Sequence, residues 1–298
     1  MYQGPSKLHS PKALFKSAER DEEGMRALCV TVDLDRDVNR AAPGRTEAVC
    51  GDDMCCRCGS SGEGAIILSE LLDDLNIRGT FFAEAYTLMS VGASSVSGHE
   101  VALHGYDHED FTGQVSGMPM CERDIRDVME RSVNTVKDVT GATPRGFRAP
   151  YMRAHDPLMS ILGEYGIEYD SSEYASMGRS VMPYLKWGIT EIPVPKGKDA
   201  SGRTIAAYLW PMHEGNRGPR DYIEMASGME EGVFVIATHT WHMVESIKGG
   251  MMDRARREKN LDDVRNVISS LIDSGYEPMT MEQAMGRFPP SGSNARTG

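Results

Sequence analysis

The first half of this chain alternates short apolar runs with longer segments in which apolar residues recur at helical spacing. Residues 27–32 form a run rich in β-branched side chains, which predicts a buried strand. Residues 66–75 carry apolar side chains on one helical face, and the apolar run 80–83 predicts the next strand. Residues 99–103 alternate apolar and polar positions, as a half-buried strand does. A long helix, with apolar positions between 125 and 139, is predicted to follow.

The second half of the chain continues the same order. Its predicted elements are a short edge strand, a helix, four strands and a final helix, at residues 146–147, 158–165, 167–169, 189–194, 204–209, 233–238 and 264–272. A repeated strand-then-helix order predicts parallel strands joined by right-handed crossovers, closed as a barrel or left as an open sheet. The fold class is therefore expected to be α/β.

Residue types that are common in catalytic sites stand just past five predicted strands. They are Asp33 and Asp35, His104 and His108, Arg148, Asp170, and His239. In parallel α/β folds the chemistry lies at the carboxyl ends of the strands, where the connecting loops meet. We therefore expect these side chains to lie together at the opening formed by the carboxyl ends of the strands, which we call the mouth of the sheet.

The stretch 98–110 contains two histidines, His104 and His108. Gly105 ends the preceding strand, and one helix-like turn would bring the two rings together. Two imidazoles at this spacing can hold one divalent metal ion if a third ligand comes from elsewhere in the fold. The structural alternative is a polar loop with two solvated histidines.

The other candidates also have structural alternatives. Asp33 and Asp35 could form a turn or cap a helix after their strand, and Arg148 could form a surface ion pair. Asp170 could cap a helix together with the two serines that follow it. His99, His155 and His213 are expected to be structural or solvated, although His213 could line a groove.

Composition and charge exclude several classes of partner. Hydrophobic residues make up 40% of the 298 positions and charged residues 26%, which is typical of a globular protein. The formal net charge of -12 argues against non-specific binding to nucleic acid or to an anionic membrane. Residues 1–23 lack the apolar core of a secretory signal, and no apolar run approaches the roughly 20 residues of a membrane span. A cytoplasmic location is therefore expected.

Four of the six cysteines, namely Cys50, Cys55, Cys56 and Cys58, crowd into one short segment. A metal cluster or a disulfide is one interpretation, but the spacing lacks the paired two-residue gaps of common zinc sites. Reduced thiols are the default in a cytoplasmic chain, and a metal bound here would be a structural or redox addition. We expect this segment to lie at the rim of the mouth and to narrow it.

The same residues resemble the motifs of the polysaccharide deacetylase family, also described as the NodB-homology domain or carbohydrate esterase family 4. The matching segments are Thr31–Asp35, His104 with His108, Arg148–Tyr151, Asp170, and Ala237–His239. Gly79–Phe82 also resembles a core strand of these proteins, and the resemblance runs from Ala27 to Phe288.

The chain also departs from the family pattern. Leu34 separates the two aspartates, which are adjacent in the commoner extracellular members. This spacing, together with the segment 98–101, is closer to an intracellular branch that contains peptidoglycan-deacetylase-like proteins and hydrolases of cyclic amides or ureides. Ala237 replaces a larger aliphatic residue, and His242 is a second candidate beside His239.

The resemblance implies an α/β fold of the distorted (β/α)7-barrel type in a single domain. We expect this domain at 26–288, between a flexible extension at 1–25 and a disordered tail at 289–298. The family further implies one divalent metal ion, with zinc as the expected ion. Asp35, His104 and His108 would hold it.

The family also implies roles for the remaining motif residues. Asp33 would be the general base, with Arg148 holding its carboxylate. A backbone N–H near Tyr151 would help to stabilise the oxyanion. His239 would protonate the leaving amine, and Asp170 would keep the His239 imidazole oriented and charged.

Three functions remain open from the sequence. The first is deacetylation of an N-acetylated sugar or a related N-acyl compound. The second is hydrolysis of a small cyclic imide or ureide, as in allantoinase-like enzymes. The third is a non-catalytic carbohydrate-binding role. The expected partner is a saccharide or a small-molecule substrate rather than nucleic acid or membrane, and association into a homo-oligomer is compatible with the sequence.

Overall fold

The strand predicted at residues 27–32 is an interior strand of a curled sheet. The computed structural model describes residues 24–38, 57–199 and 201–290. Its strands are β1 (Arg26–Leu34), β2 (Thr80–Ala83), β3 (Glu100–Leu103), β4 (Gly146–Phe147), β5 (Tyr169–Asp170), β6 (Tyr174–Ser176), β7 (Ser180–Val181), β8 (Tyr184–Lys186), β9 (Ile189–Glu191), β10 (Val194–Lys198), β11 (Thr204–Ala206), β12 (Glu231–His239), β13 (Glu245–Ser246), β14 (Gly250–Met251) and β15 (Glu277–Pro278).

Helices cover the outside of the sheet. They are α1 (Gly59–Asp74), α2 (Ala85–Val91), α3 (Glu122–Thr140), α4 (Asp156–Leu162), α5 (Trp210–His213), α6 (Pro219–Ser227), α7 (Arg254–Asp273) and α8 (Met281–Arg287). The α3 helix ends at Gly141, whose φ of 77° is the left-handed conformation that glycine adopts readily at a helix terminus. No helix in the described ranges combines the length and the apolar character needed to cross a membrane.

The main sheet has the strand order β7-β12-β1-β2-β3-β4-β5-β9-β8, with β15 pairing additionally with β1. Neighbouring strands are parallel except for the β8–β9 hairpin. The sheet curls into a half-barrel within a single α/β domain, which confirms the predicted fold class. Because helices cover it, β1 is buried from residue 27 onwards, as its apolar run predicts.

The register of the sheet aligns the strand ends that carry the candidate residues. Asp33 lies opposite His239 where β1 pairs with β12. The ends of the other strands form one row, in which Leu34, Ala83, Leu103, Phe147 and Asp170 are successive neighbours. Residues that follow this row therefore enter the same space above the sheet.

Two local predictions were wrong. The run 189–194, predicted as one strand, is divided between β9 of the main sheet and β10 of a second, three-stranded sheet. Pro193 stands between them, and a proline has no N–H to continue a hydrogen-bond ladder. Ile66, placed on the apolar face of α1, is 49% exposed, while Ala65 and Leu68 are buried instead.

Hydrogen bonds of Asp37 hold the beginning of α1 against the end of β1. The Asp37 N–H donates to the Arg57 carbonyl at 2.8 Å. The Asp37 carboxylate accepts the N–H groups of Ser60 and Ser61 at 3.0 and 2.7 Å, near the amino end of α1. Residues 39–56, which include Cys50, Cys55 and Cys56, lie outside the described residues, so the predicted position of this segment at the rim of the mouth has no structural account. The Cys58 side chain is buried, with its Sγ 3.8 Å from the Thr87 hydroxyl.

The domain boundaries stay predictions. Residues 1–23 and 291–298 fall outside the described ranges. The predicted extension and most of the predicted tail therefore have no structural account.

Helix α1 approaches the chain beyond β12 so closely that only glycine fits at position 64. A Cβ at Gly64 would lie 1.9 Å from the Thr240 carbonyl oxygen. We expect Gly64→Ala to lower the free energy of unfolding by about 1–3 kcal/mol, because backbone must move to admit the methyl group. Urea denaturation measures this change.

Gly286→Ala in α8 is the matched control. A Cβ there meets no atom within 4 Å. The substitution should be neutral or should stabilise the protein by about 0.4–1 kcal/mol. Equal stability of the Gly64→Ala protein and the control would contradict the close approach.

Candidate functional site

A cavity of about 350 Å³ opens where the strand ends meet. Its lining combines acidic, imidazole and aromatic side chains, contributed by Asp33, Asp35, Arg36, Val38, His104, His108, Tyr151, Met152, Tyr174, Ala206, Tyr208, Trp210, Pro211, His239 and Trp241. The structure thus brings together the candidates from β1, β3 and β12. Asp33 and Asp35 both face the cavity, whereas Leu34 between them is fully buried, as alternation along an extended chain requires.

Asp35, His104 and His108 form a group that could hold a metal ion. One ligand atom from each lies within 4.8 Å of the others. The two imidazole rings are 5.2 Å apart, and His108 Nε2 is 3.8 Å from Asp35 Oδ2. An acidic oxygen with two imidazole nitrogens is a common donor set for zinc and similar ions.

The chemistry of these three groups fits a cation. The His104 Nδ1–H donates to the Arg148 carbonyl at 2.9 Å, which leaves the Nε2 lone pair available to a metal. Asp35 Oδ1 is buried and has no hydrogen-bond partner among the described residues. Burial and the neighbouring Asp33 and Glu84 carboxylates raise the pKa of Asp35 well above its usual range. A cation would compensate this buried charge.

The predicted helix-like turn between the two histidines was wrong, although it placed the rings correctly. Gly105 has φ 78° and His108 has φ 55°, so the chain turns through left-handed positions. The Glu109 carboxylate accepts the N–H groups of Tyr106 and Asp107, each at 2.9 Å, and holds this irregular loop. The spacing alone does not reveal this conformation, because positive φ is uncommon for residues other than glycine.

Asp33 is paired with a fully buried arginine. Arg148 Nη1 donates to Asp33 Oδ1 at 2.8 Å and to Thr31 Oγ1 at 3.0 Å, and the guanidinium lies 4.1 Å from the centre of the Phe82 ring. Burial alone would raise the pKa of Asp33. The Arg148 charge, two nearby histidines and a tyrosine hydroxyl outweigh burial and leave that pKa below its usual range. The Arg148 pair therefore favours the ionised form of Asp33, which faces the cavity.

Tyr208 is a cavity residue that the sequence did not single out. Its hydroxyl donates to Asp33 Oδ2 and lies 3.1 Å from His239 Nε2, so it joins the two residues. The segment 204–209 was predicted as one strand, but β11 ends at Ala206. A predicted strand that ended at Ala206 would have placed Tyr208 just past a strand end, which is the criterion that the other candidates met.

Of the two candidate acids, His239 faces the cavity and His242 does not line it. His239 Nε2 is 3.9 Å from Asp35 Oδ2, and Trp210 packs edge-on against its ring at 5.0 Å. His242 is fully buried behind it, with the two Nδ1 atoms 3.3 Å apart. Burial lowers the pKa of His239 to about 3, so its imidazole is neutral at physiological pH and not charged as we predicted.

Asp170 does not lie beside His239, contrary to our prediction. It occupies β5, which is separated from β12 by four strands. Its carboxylate accepts the Ser172 hydroxyl at 2.7 Å and faces the carboxyl group of Glu191, whose pKa is raised far above normal by burial and by Asp170. The two ring nitrogens of His239 are hydrogen-bonded instead to Tyr208 and His242.

Tyr151 occupies one wall of the cavity. Its ring packs edge-on against His108 with the centres 4.5 Å apart. The backbone of Tyr151 and Met152 is left-handed, with φ of 61° and 55°. Such positions are strained for residues with side chains and often occur at functional sites. A role of this segment in binding an oxyanion stays a prediction.

Comparison with known proteins adds a family to this geometry. Residues 67–169 match the family model described as polysaccharide deacetylase. A peptidoglycan deacetylase-like protein of Gibberella zeae is 29% identical over 175 residues, which are 56% of this chain and 50% of that protein. The match thus spans about half the length of this relative and a smaller share of the other curated relatives.

Solved structures share the fold. A Mycobacterium smegmatis protein proposed to be a polysaccharide deacetylase has a TM-score of 0.59 at 22% identity, over 90% of this chain and 91% of its own. A carbohydrate esterase family 4 pseudoenzyme from Bacillus anthracis has a TM-score of 0.52 at 12% identity, over 88% of this chain and 66% of its own. Because the fold also occurs in a pseudoenzyme, activity must be argued from the site.

Buried neutral histidines predict a loss of stability in acid. Burial lowers the pKa of His213 to about 4, whereas an unfolded histidine titrates near 6.5. Between these values the unfolded chain binds more protons, so the free energy of unfolding falls as the pH falls. His213 alone should contribute a loss of about 2 kcal/mol between pH 7 and pH 5.

Urea denaturation of metal-free protein at the two pH values measures this loss. His213→Gln keeps a polar side chain but removes the titrating group, so its stability should fall by about 2 kcal/mol less than that of the wild type over the same interval. Equal falls in both proteins would show that His213 does not resist protonation in the fold.

Proposed function

We propose, from the premise that this chain belongs to the polysaccharide deacetylase family, that it hydrolyses the amide bond of an N-acetylated sugar with the help of a divalent metal ion. The observation that carries the proposal is the convergence of two aspartates and three histidines on one cavity. A protein that only bound carbohydrate would not need a buried, ionised carboxylate that is linked to an imidazole through the hydroxyl of one tyrosine.

Asp35, His104 and His108 would hold the metal ion, and zinc is the ion we expect. When bound, such an ion lowers the pKa of water and polarises a carbonyl oxygen. The neutral imidazoles and the unpartnered Asp35 oxygen support this assignment, because metal ligands must be deprotonated.

Asp33 would accept a proton from the attacking water. Its low pKa keeps it ionised, and the contacts from Arg148 and Tyr208 fix its two oxygens. The backbone near Tyr151 lies on the wall where an oxyanion would form, and we assign it a stabilising role.

His239 would donate its Nε2 proton to the leaving nitrogen as the carbon–nitrogen bond breaks. The Tyr208 hydroxyl contacts both Asp33 and His239. The proton that Asp33 takes from water can therefore pass through Tyr208 to His239 and replace the proton that His239 has donated. Acetate and an amine leave, and the protein returns to its starting protonation state.

A small cyclic imide or ureide is the second candidate substrate. The cavity of about 350 Å³ is near the lower limit of ligand pockets, and Tyr151, Tyr208 and Trp210 give it flat aromatic walls. Assays of acetate release from N-acetylglucosamine oligomers and of ring opening of cyclic imides distinguish the two. Ring opening without acetate release would replace the deacetylase proposal with the second one.

Metal content tests the ligand assignment. Protein reconstituted with zinc and freed of excess should carry one ion in this site, and His104→Ala should lose it, because an imidazole donor is removed. His155→Ala is the control, since His155 is a partly buried histidine outside the cavity. Elemental analysis and calorimetric titration measure the binding, and zinc retention by His104→Ala would refute the site.

Two substitutions test the base. Asp33→Asn should keep the metal and lower turnover about 10²–10⁴-fold, because an amide cannot accept the water proton. Tyr208→Phe should lower turnover about 10–100-fold by removing a hydrogen bond to a charged group.

Tyr276→Phe is the control for the tyrosine substitution, because its hydroxyl binds the Ala226 carbonyl away from the cavity. It should retain full turnover. Substantial activity in the Asp33→Asn protein would mean that another group accepts the proton.

A further inference from the structure

A second layer of polar side chains lies directly behind His239. His242 and His213 are fully or nearly fully buried, and their rings stack with centres 4.7 Å apart at 25°. His242 approaches the rear nitrogen of His239, and Asn260 of α7 touches both inner histidines. The proposed reaction, as described so far, uses none of these inner groups.

The hydrogen bonds of the cavity determine which His239 nitrogen carries the proton. Tyr208 has one hydroxyl proton, and it goes to the Asp33 carboxylate, which can only accept. The Tyr208 oxygen must therefore accept the hydrogen bond from His239, so Nε2 of His239 carries the hydrogen. A neutral imidazole has one N–H, which leaves Nδ1 of His239 as an acceptor.

The same reasoning assigns the protonated nitrogen of His242. Its Nδ1 is 3.3 Å from the bare Nδ1 of His239, so it must be the donor. His242 Nε2 then carries no hydrogen. That nitrogen is buried without a hydrogen-bond partner among the described residues, and the carboxylate oxygen nearest to it, of Glu214, lies 3.8 Å away.

The inner layer also fixes the position of His242. Asn260 Nδ2 donates to the His242 carbonyl at 2.6 Å, and its oxygen accepts from His213 Nδ1 at 2.6 Å. The other His213 nitrogen accepts from the Thr238 hydroxyl at 2.7 Å. Every hydrogen-bond role in this layer is therefore assigned without conflict, and the His242 ring is held between His213 and Trp241.

We propose that His242 is a positioning residue, which donates from Nδ1 to Nδ1 of His239 and so keeps the His239 Nε2–H directed into the cavity. This inference rests on the proposed function, in which that hydrogen passes to the leaving nitrogen. In this chain His242 occupies the place beside His239 that we had predicted for Asp170. The donor is a neutral imidazole, which fixes the tautomer without adding negative charge behind the ring.

The first experiment reads the tautomer without any activity measurement. Long-range ¹H–¹⁵N spectra of the imidazoles in metal-free, ¹⁵N-labelled protein distinguish protonated from bare ring nitrogens, and His239→Gln assigns the His239 signals. The expected result is an Nε2–H tautomer for His239 and an Nδ1–H tautomer for His242. An Nδ1–H tautomer for His239 in the wild type overturns the proposal, whatever the variants do.

Two substitutions at position 242 separate the hydrogen bond from the packing. His242→Phe keeps a ring in the stack but removes the donor. His242→Asn places an amide N–H near the position of Nδ1 and should rescue it. We expect His242→Phe to change the His239 spectrum and to lower kcat by about tenfold or more, with KM unchanged because His242 does not line the cavity.

His242→Asn should retain the wild-type His239 spectrum and most of kcat. A His242→Phe protein that keeps the Nε2–H tautomer and a kcat within about twofold of the wild type overturns the proposal. Thermal unfolding checks that each variant is folded, and if His242→Phe is not, the wild-type and His242→Asn spectra still decide. Wild-type protein inactive on acyl amides would refute the proposed function, whereas the spectra would still test the His239–His242 bond.

Discussion

The buried ion pair of Asp33 and Arg148 is the interaction on which the rest of the site depends. Both side chains are almost completely removed from solvent, and removing one partner of such a pair typically costs about 3–5 kcal/mol. The pair bridges β1 and the end of β4, and the Arg148 guanidinium also contacts Thr31 and Ser171. Because Arg148 is fixed in this way, its carbonyl is in place to orient His104. One charge pair thus organises the proposed base and a proposed metal ligand together.

The fold was largely predictable from the chain because parallel strands buried on both faces leave long apolar runs in the sequence. The runs at 27–32, 80–83 and 233–238 all became strands of the main sheet. The rule that chemistry follows strand ends then located Asp33, His104 and His239 in one cavity. The resemblance to the polysaccharide deacetylases was confirmed by the family comparison.

The errors arose where a contact depends on strand order and where the end of a strand was misplaced. Asp170 follows a strand, as predicted, but its distance from His239 is set by the four strands between β5 and β12. Tyr208 was overlooked because the end of a strand was placed three residues too late, and such boundaries carry little signal in sequence. The division at Pro193 was visible in principle, since proline rarely continues a central strand. The roles of the site residues stay predictions.

The hydrogen bonds between Asp37 and the start of α1 bear on how far the segment between Asp37 and Arg57 can vary in length and sequence. Because the Asp37 N–H binds the Arg57 carbonyl, the chain leaves β1 and re-enters α1 at adjacent points. The entropy of closing a loop grows only slowly with its length, so the segment joining these points can be lengthened, shortened or exchanged at small cost to the fold. Changes in the length or sequence of this segment should therefore leave the sheet and its buried charge pair undisturbed.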